Sequence, residues 1–516
     1  MRLVDYLDKG TSLGADRPCL TMNGASLSYA AVHSHSHRLA RALHEAGIKP
    51  GEHVAILSGN DPLAFASVFG ISRAACVWCP INPRNEAAEN AYVLDNFDCV
   101  ALIFHSRFAG LVDTLRAKLP KLRLLVCLDV ELAFAYSLDQ WLAGVSEEPF
   151  RREPIDDLAM LPGTGGTTGN PKAVMLTHRN LETMTALTLM GYPFAGRPIY
   201  LAMAPLTHAA GVLAFPIMCL GGEIVIMPQP NIGDFLKSAQ LHRVTHAFLP
   251  PTLIYMLLDH PDLPGTDLSS FQCFWYGAAP ISAARLEEAI SKIGPVMAQL
   301  FGQTEAPMMI SMMPPRDHFN ADGTIARQRL SSAGRPAPLV EVAMIDAAGK
   351  LLPRGERGEI VIRSSLVMDG YYKNPAATAE ATVNGWHRTG DIGFLDEDNF
   401  LFIVDRAKDM IITGGFNVYS AEVEQALLRH PAVQDAAVFG LPDEKWGERV
   451  CAVVQVRAGH SASSAEILAR VKAEIGSIKT PKELEIWEDL PRSKVGKVLK
   501  KDIRAQKLRA ATKAGV

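Results

Sequence analysis

"GTGGTTGNPKAV", Gly163 to Val174, is the stretch on which the reading of this chain turns. Its twelve residues hold four glycines, three threonines, an Asn-Pro turn and one lysine. Glycine lets backbone N–H groups approach an anion closely, threonine hydroxyls add donors, and Lys172 brings a neutralising charge. Those are the parts of a phosphate cradle. The loop G-x-x-x-x-G-K-[ST] is excluded, because the Gly-Lys pairs at 349–350 and 496–497 both lack the earlier glycine. The dinucleotide pattern G-x-G-x-x-G is excluded too, because position 168 is Thr. A phosphate loop of another kind remains, or, taken alone, a glycine-rich surface turn.

The sequence before the loop alternates helix and strand signals. "YAAVHSHSHRLARALHEAG" reads as a helix stopped by "IKPG", and "HVAIL" as a short strand after it. "PLAFASVFGISRAA" then "CVWCPIN", and "AAENAYVLDNFD" then "CVALIF", repeat the order. Such alternation predicts an α/β fold with largely parallel, buried strands. From about residue 331 the texture changes. "VEVAMIDAAGKLLPRGERGEIVIRS" and "GFLDEDNFLFIV" read as hairpins broken by polar turns. "DRAKD" (405–409) is a charged break, and "SAEVEQALLRHP" beyond it is a helix with Ser420 as its expected N-cap. The predicted organisation is a domain over 1–404, a boundary at 405–409 and a smaller α+β domain over 410–516.

Length and charge narrow the function. A chain of 516 residues is too long for one core. Lys+Arg 51 against Asp+Glu 55 leaves a net charge of −4, with no basic tract to attract nucleic acid. The first residues, "MRLVDYLDKG", carry early acids and do not read as a signal peptide. The apolar run "AAGVLAFPIMCL" (209–220) is too short to span a bilayer. Eight scattered cysteines suit a reducing cytoplasm. Cys76 and Cys79 have CxxC spacing, yet with no second pair and no nearby His they read as two buried thiols.

The loop closely resembles the phosphate loop of the adenylate-forming superfamily, which contains acyl-CoA synthetases, luciferases and peptide-synthetase adenylation domains. The usual form is T-S-G-T-T-G-x-P-K-G; here Gly165 stands where Ser is common and Ala173 where Gly is common. "LFGQTE" (300–305), "HRTGD" (387–391), "DRAKDMIITGGFNVYSAEVE" and "LPRSKVGK" (490–497) resemble four further motifs of that superfamily, in its order. The resemblance implies a large N-terminal domain of parallel-sheet α/β subdomains with a β-barrel subdomain, and a small mobile α+β C-terminal domain.

It also implies roles. Thr164, Gly165, Gly166, Thr167, Thr168, Gly169 and Lys172 would hold the β- and γ-phosphates of ATP. Thr304 would donate to the α-phosphate, and Glu305 would help bind Mg²⁺, a hard cation that wants oxygen ligands. Phe301 and Gly302 would lie against adenine, with the backbone of Gly277, Ala278 and Ala279 along its other side. Asp391 would accept both ribose hydroxyls, and Arg406 would reach the same sugar. Lys497 would stabilise the charge that builds when a carboxylate attacks the α-phosphorus. Lys408 would be the hinge about which the small domain turns, bringing in Gly414, Gly415, Phe416 and Trp446 for coenzyme A. Phe416 stands where Glu is frequent. Lys479 and Lys482 would meet coenzyme A phosphates, or be merely solvated.

"PLTHAAG" (205–211) resembles the segment that closes over the substrate carboxylate, with His208 at the gate. An amino-acid substrate would need an acidic anchor soon after it, and between 200 and 230 the only acid is Glu223, inside a strand-like run. Four methionines in "APMMISMMPP" (306–315) read either as a soft pocket wall for an alkyl or aromatic acid or as a buried strand. The expected activity is that of an acid–CoA ligase in fatty-acid metabolism, with ATP and coenzyme A as co-substrates and Mg²⁺ as cofactor. Its expected setting is cytoplasmic, with no nucleic-acid partner, no transmembrane segment and a homodimer as one option. The alternatives are an adenylating enzyme that loads a separate carrier protein, and a non-catalytic nucleotide sensor.

Overall fold

A computed structural model describes residues 1–164, 170–207, 209–457, 459–492 and 498–513. Contacts gather them into two compact units, Met1–Ala278 with Arg285–Glu341 and Ile362–His387, and Ala279–Ala284 with Val342–Val361 and Arg388–Val516.

The first unit is α/β, as the alternation predicts. Its helices Tyr29–Glu45, Pro62–Arg73 and Ala87–Asn96 fall where the helical runs were read. The second shows why such a segment starts where it does. Asp61 caps it by accepting the Ala64 N–H at 2.9 Å, Pro62 fills the first turn, and every residue from Ala64 to Arg73 is buried. Two nine-stranded sheets carry the unit. In one, Val77–Pro80, His53–Leu57, Cys99–Phe104 and Leu124–Cys127 run parallel, with Phe97 and Phe104 in the fully buried core beneath. Covered on both faces, these strands are apolar throughout except for His53. Cys76 and Cys79 are free and buried, and burial pushes the Cys76 thiol up to about 12. They are packing residues.

Near the edge of that sheet lies Lys172–Thr177, paired antiparallel with Gly163–Thr164 on one side and Gly370–Tyr371 on another. In the second sheet Ile199–Ala202, His246–Leu249, Cys273–Gly277 and Met297–Gln303 are parallel, and Ala306–Met313 folds back antiparallel on Met297–Gln303.

In the second unit the run read as a hairpin is one. Residues 391–395, the end of the strand Trp386–Leu395 whose first two residues belong to the first unit, pair antiparallel with Leu401–Arg406 across the turn "DEDN". A separate sheet of Phe416–Val418, Ile411–Thr413, Gly447–Val456, Val433–Asp443 and Glu483–Trp487 packs helices Ser420–Leu428 and Ser464–Lys479 over a core that includes Val423, Leu427, Val438 and Val471. Ser420 is the first helical residue rather than the cap. Its hydroxyl and its N–H both bond to the Asp405 carboxylate. An acid 15 residues earlier in the chain, held on another strand, therefore meets the positive end of the helix.

Among the described residues no helix is long and apolar enough to cross a membrane.

Candidate nucleotide site

Of the Gly-Thr segment, the flanking residues on either side are described, and they pair antiparallel. Lys172 faces Thr164 and Ala173 faces Gly163 in the ladder. Gly165, Gly166, Thr167, Thr168 and Gly169 lie outside the described residues, as do His208 and Lys497. The pairing fixes where the lysine emerges. Its ammonium stands over the ring of Tyr371, 4.2 Å from the centroid.

Tyr371 belongs to a short strap that sequence reading did not single out. Met368 N–H donates to the Glu305 carbonyl at 2.8 Å, Asp369 N–H to the Met175 carbonyl at 3.0 Å and Tyr372 N–H to the Ala173 carbonyl at 2.9 Å. The strap thus ties the strand carrying Lys172 to the turn carrying Thr304 and Glu305. Tyr371 completes the tie through side chains, since its hydroxyl donates to Glu305 Oε1 at 2.7 Å. Burial and the adjacent Glu305 push this phenol far above its ordinary range. It stays a donor. A signal was present in "MDGYYKNP": Gly370 has φ +137°, and a Cβ there would sit 2.9 Å from Thr378 Cγ2.

Thr304 and Glu305 form the two-residue tip of the hairpin in which Gln303 faces Ala306. Below it the register shifts: Phe301 faces Ser311, so Gly302 stands opposite residues 307–310. Met308 in that bulge has φ +63°, and a Cβ on Gly302 would lie 2.3 Å from its backbone nitrogen. A bulge bends the strand that carries it and increases the local twist. Phe301 is only partly buried, which leaves ring surface open for stacking. Gly277 ends the neighbouring strand, and a Cβ there would meet the Leu300 carbonyl at 2.3 Å. Ala278 follows, exposed and left-handed at φ +66°. A non-glycine residue in this region of backbone space is held there by its surroundings at a cost of about 1–3 kcal/mol. Ala279 is next in chain and belongs to the other unit.

Asn60 is a second residue that sequence reading missed. Its side-chain amide donates to the Ala204 carbonyl at 3.1 Å and to the Met227 carbonyl at 3.0 Å, while its oxygen accepts the Leu206 N–H at 2.9 Å. It pins the segment that leads into His208. Glu223 is committed elsewhere. It is buried, accepts the Thr21 hydroxyl at 2.6 Å and faces Arg197 at 3.8 Å. Of the four methionines, Met309, Met312 and Met313 are buried strand residues and Met308 alone is half-exposed.

In the second unit Asp391 and Arg406 are cross-strand neighbours, joined by Arg406 Nε and Asp391 Oδ1 at 2.7 Å. The carboxylate side chain is 5% exposed and the guanidinium 44%. Within the strand Trp386–Leu395, Gly390 is left-handed at φ +71° and the Asp391 N–H bonds to Thr389 Oγ1 at 3.1 Å. Lys408 follows this strand, exposed. Gly414 and Gly415 are the two central residues of a hairpin loop, with φ +57° and +80°. Positive φ at both positions is what a two-residue type I′ turn requires. Gly414 N–H donates to the Trp446 carbonyl at 2.7 Å, and a Cβ on Gly414 would strike the Trp446 ring at 2.7 Å. Phe416 and Trp446 are 56% and 43% exposed, an apolar surface beside that turn.

A second polar cluster lies close to this one in sequence. Lys500 Nζ reaches Glu424 Oε1 at 2.8 Å and Ser420 Oγ at 2.7 Å, and Ser420 in turn holds Asp405. Burial pushes Glu424 up to about 7 against the pull of Lys500. Asp405 is raised by burial as well, while Glu424 and Asp405 keep Lys500 charged, with its pKa above the ordinary value.

Comparison with known proteins gives the family. Residues 9–372 match the family described as AMP-binding enzyme, and residues 422–497 match the AMP-binding enzyme C-terminal domain. The chain is 35% identical to the medium/long-chain-fatty-acid–CoA ligase FadD8 of Mycobacterium tuberculosis, over 95% of this chain and 87% of the relative. It is 34% identical to a feruloyl-CoA synthase of an Amycolatopsis species, over 93% and 94%. Among solved structures the amide bond synthetase McbA of Marinactinospora thermotolerans matches with a TM-score of 0.89 at 31% identity, covering 98% of this chain and 99% of that one.

Proposed function

Because the chain belongs to the AMP-binding enzyme family, we infer that it is an AMP-forming acid–CoA ligase acting on a hydrophobic carboxylate. A carboxylate oxygen attacks the α-phosphorus of ATP and pyrophosphate leaves. The thiol of coenzyme A then attacks the acyl carbonyl and AMP leaves. The observation that carries this reading is the strap 368–372, which gathers the phosphate-loop strand and the Thr304–Glu305 turn into one cluster. Lys172 grips the outer phosphates, Thr304 donates to the α-phosphate, and Phe301 stacks on adenine beside Gly302 and the backbone of Gly277 to Ala279. Asp391 and Arg406 take the ribose.

Mg²⁺ fits this donor set. Among the described residues no three His, Cys, Asp or Glu side chains converge to hold a metal by themselves. A lone carboxylate is the arrangement expected of an ion held mostly by phosphate oxygens. Glu305 would hold it, and the ion would neutralise charge on the triphosphate.

Lys497 stabilises the transition state of the first step, and His208 gates the carboxylate. Residues 405–409, with Lys408, are the hinge between 1–404 and 410–516, and the Gly414–Gly415 turn with Phe416 and Trp446 receives the pantetheine arm. The commitment of Glu223 to Thr21 and Arg197 leaves no acid in its segment to anchor a substrate ammonium, which supports a simple carboxylic acid.

The test is pyrophosphate release over short, medium, long and aromatic acids, with and without coenzyme A. A thioester and AMP from an alkyl or aromatic acid are expected, and Lys497→Ala should stop adenylate formation yet still use pre-made acyl-adenylate. A protein that binds ATP but yields no AMP with any acid would sink the reading. The likeness to an amide bond synthetase supports a second reading, with an amine as acceptor. Offering amines, free coenzyme A and a pantetheinylated carrier protein in parallel separates the acceptors.

A further inference from the structure

We propose that Tyr371 is a positioning residue that keeps Lys172 and Glu305 apart and aimed at one ligand, a magnesium-bound triphosphate. The inference rests on the reading above and adds a residue to it.

Lys172 stands over the ring face, 4.2 Å from its centroid, while Glu305 Oε1 takes the hydroxyl at the ring edge, 2.7 Å away. The ammonium is thus seated on the ring face and the carboxylate on the ring hydroxyl, so each charge is held by a different part of one side chain rather than by the other charge. An ion pair between the two would have to open before phosphate could reach the ammonium or Mg²⁺ the carboxylate. Against the ring face the ammonium keeps an electrostatic partner that carries no full charge. With one oxygen on a hydroxyl, the carboxylate keeps its remaining acceptor positions for a cation.

The ring cannot drift. Tyr371 is 7% exposed, its N–H donates to Thr378 Oγ1 at 2.9 Å, and it sits opposite Val174 in the ladder. The flanking Tyr372 and Met368 N–H groups are bonded to the two elements that carry the charges. The side chain is thus fixed by the strands it serves.

The test separates ring from hydroxyl. Tyr371→Phe keeps the face and removes the hydroxyl, and Tyr371→Leu removes both. Binding of α,β-methylene-ATP is measured by calorimetry over a series of Mg²⁺ concentrations, beside thermal unfolding and with Lys172→Ala and Glu305→Gln as references. Tyr371→Phe should raise the Mg²⁺ concentration for half-maximal binding about tenfold, as loss of one bond to a charged group does. Its affinity at saturating Mg²⁺ should stay within about twofold of wild type, because the ring face is kept. Tyr371→Leu should bind about tenfold more weakly even at saturating Mg²⁺, because the lysine loses its seat. Wild-type Mg²⁺ dependence in the Phe variant overturns the proposal, as does a folded Leu variant that behaves like the Phe variant. Should Leu fail to fold, the Phe arm alone decides. If Lys172→Ala and Glu305→Gln also bind as wild type, the phosphate-site reading itself has failed and takes this inference with it.

Discussion

Gly302→Ala tests whether the hairpin bulge holds the site. A Cβ at this position would lie 2.3 Å from Met308 N, 2.6 Å from its Cα and 2.7 Å from its carbonyl carbon. Ordinary contacts of that kind lie near 3.4 Å, so the two strands must separate by about 1 Å. None of the three atoms is the end of a flexible side chain, and Met308 is already left-handed at φ +63°, so the facing backbone has little room to yield. Overpacking of this sort costs about 1–3 kcal/mol. The larger effect falls on chemistry, because Gly302 sits between Phe301 and the Thr304–Glu305 tip. Displacing reacting or positioning groups by about 1 Å lowers turnover about 10²-fold. The assay is ATP–pyrophosphate exchange with the best acid, beside thermal unfolding. Gly110→Ala is the control, since its Cβ meets nothing within 4 Å and it lies in the helix Ala109–Arg116. That variant should be neutral or more stable by up to about 1 kcal/mol. An alanine at 302 that exchanges at the wild-type rate would refute the claim that this bulge aims the tip.

Lys500→Met leaves Glu424 without its cation, so the core of residues 411–503 should lose about 3–5 kcal/mol. The loss should be greater at pH 8 than at pH 5.5, where Glu424 can neutralise itself by taking a proton; equal melting shifts at the two pH values would contradict this. Glu424 itself is raised from 4.5 to about 7 in the fold. A raised acid stabilises most below its unfolded pKa, so this contribution, about 3 kcal/mol, is full below pH 4.5 and lost as pH rises through 7. Glu424→Gln should flatten the thermal midpoint over that window, and an unchanged slope would count against the assignment. Asp391→Asn removes a pair whose guanidinium is 44% exposed, so stability should move by about 1 kcal/mol or less. Nucleotide affinity should nevertheless fall about 10–100-fold through loss of charged hydrogen bonds to the ribose, as titration with ATP would show. An affinity that does not change removes Asp391 from the site.

Much of the local structure was legible in the residues themselves. The helix at Pro62–Arg73 begins with its own Asp-Pro signal, "DEDN" turns Trp386–Leu395 into Leu401–Arg406, and Gly414–Gly415 has the residues that a type I′ loop needs. These are decided by steric and hydrogen-bonding preferences within a few residues, and the ordered motifs from Gly163 to Lys497 carry the family in the same linear way. The partners were decided elsewhere. Ser420 looked like a cap, but Asp405 takes its hydroxyl and N–H from another strand. Glu223 is consumed by a threonine 202 residues away, and Tyr371 meets Glu305 across 66 residues. Which strand lies beside which, and in what register, is settled by burial of whole sheets, and a side chain carries no local record of the neighbour that this packing will give it.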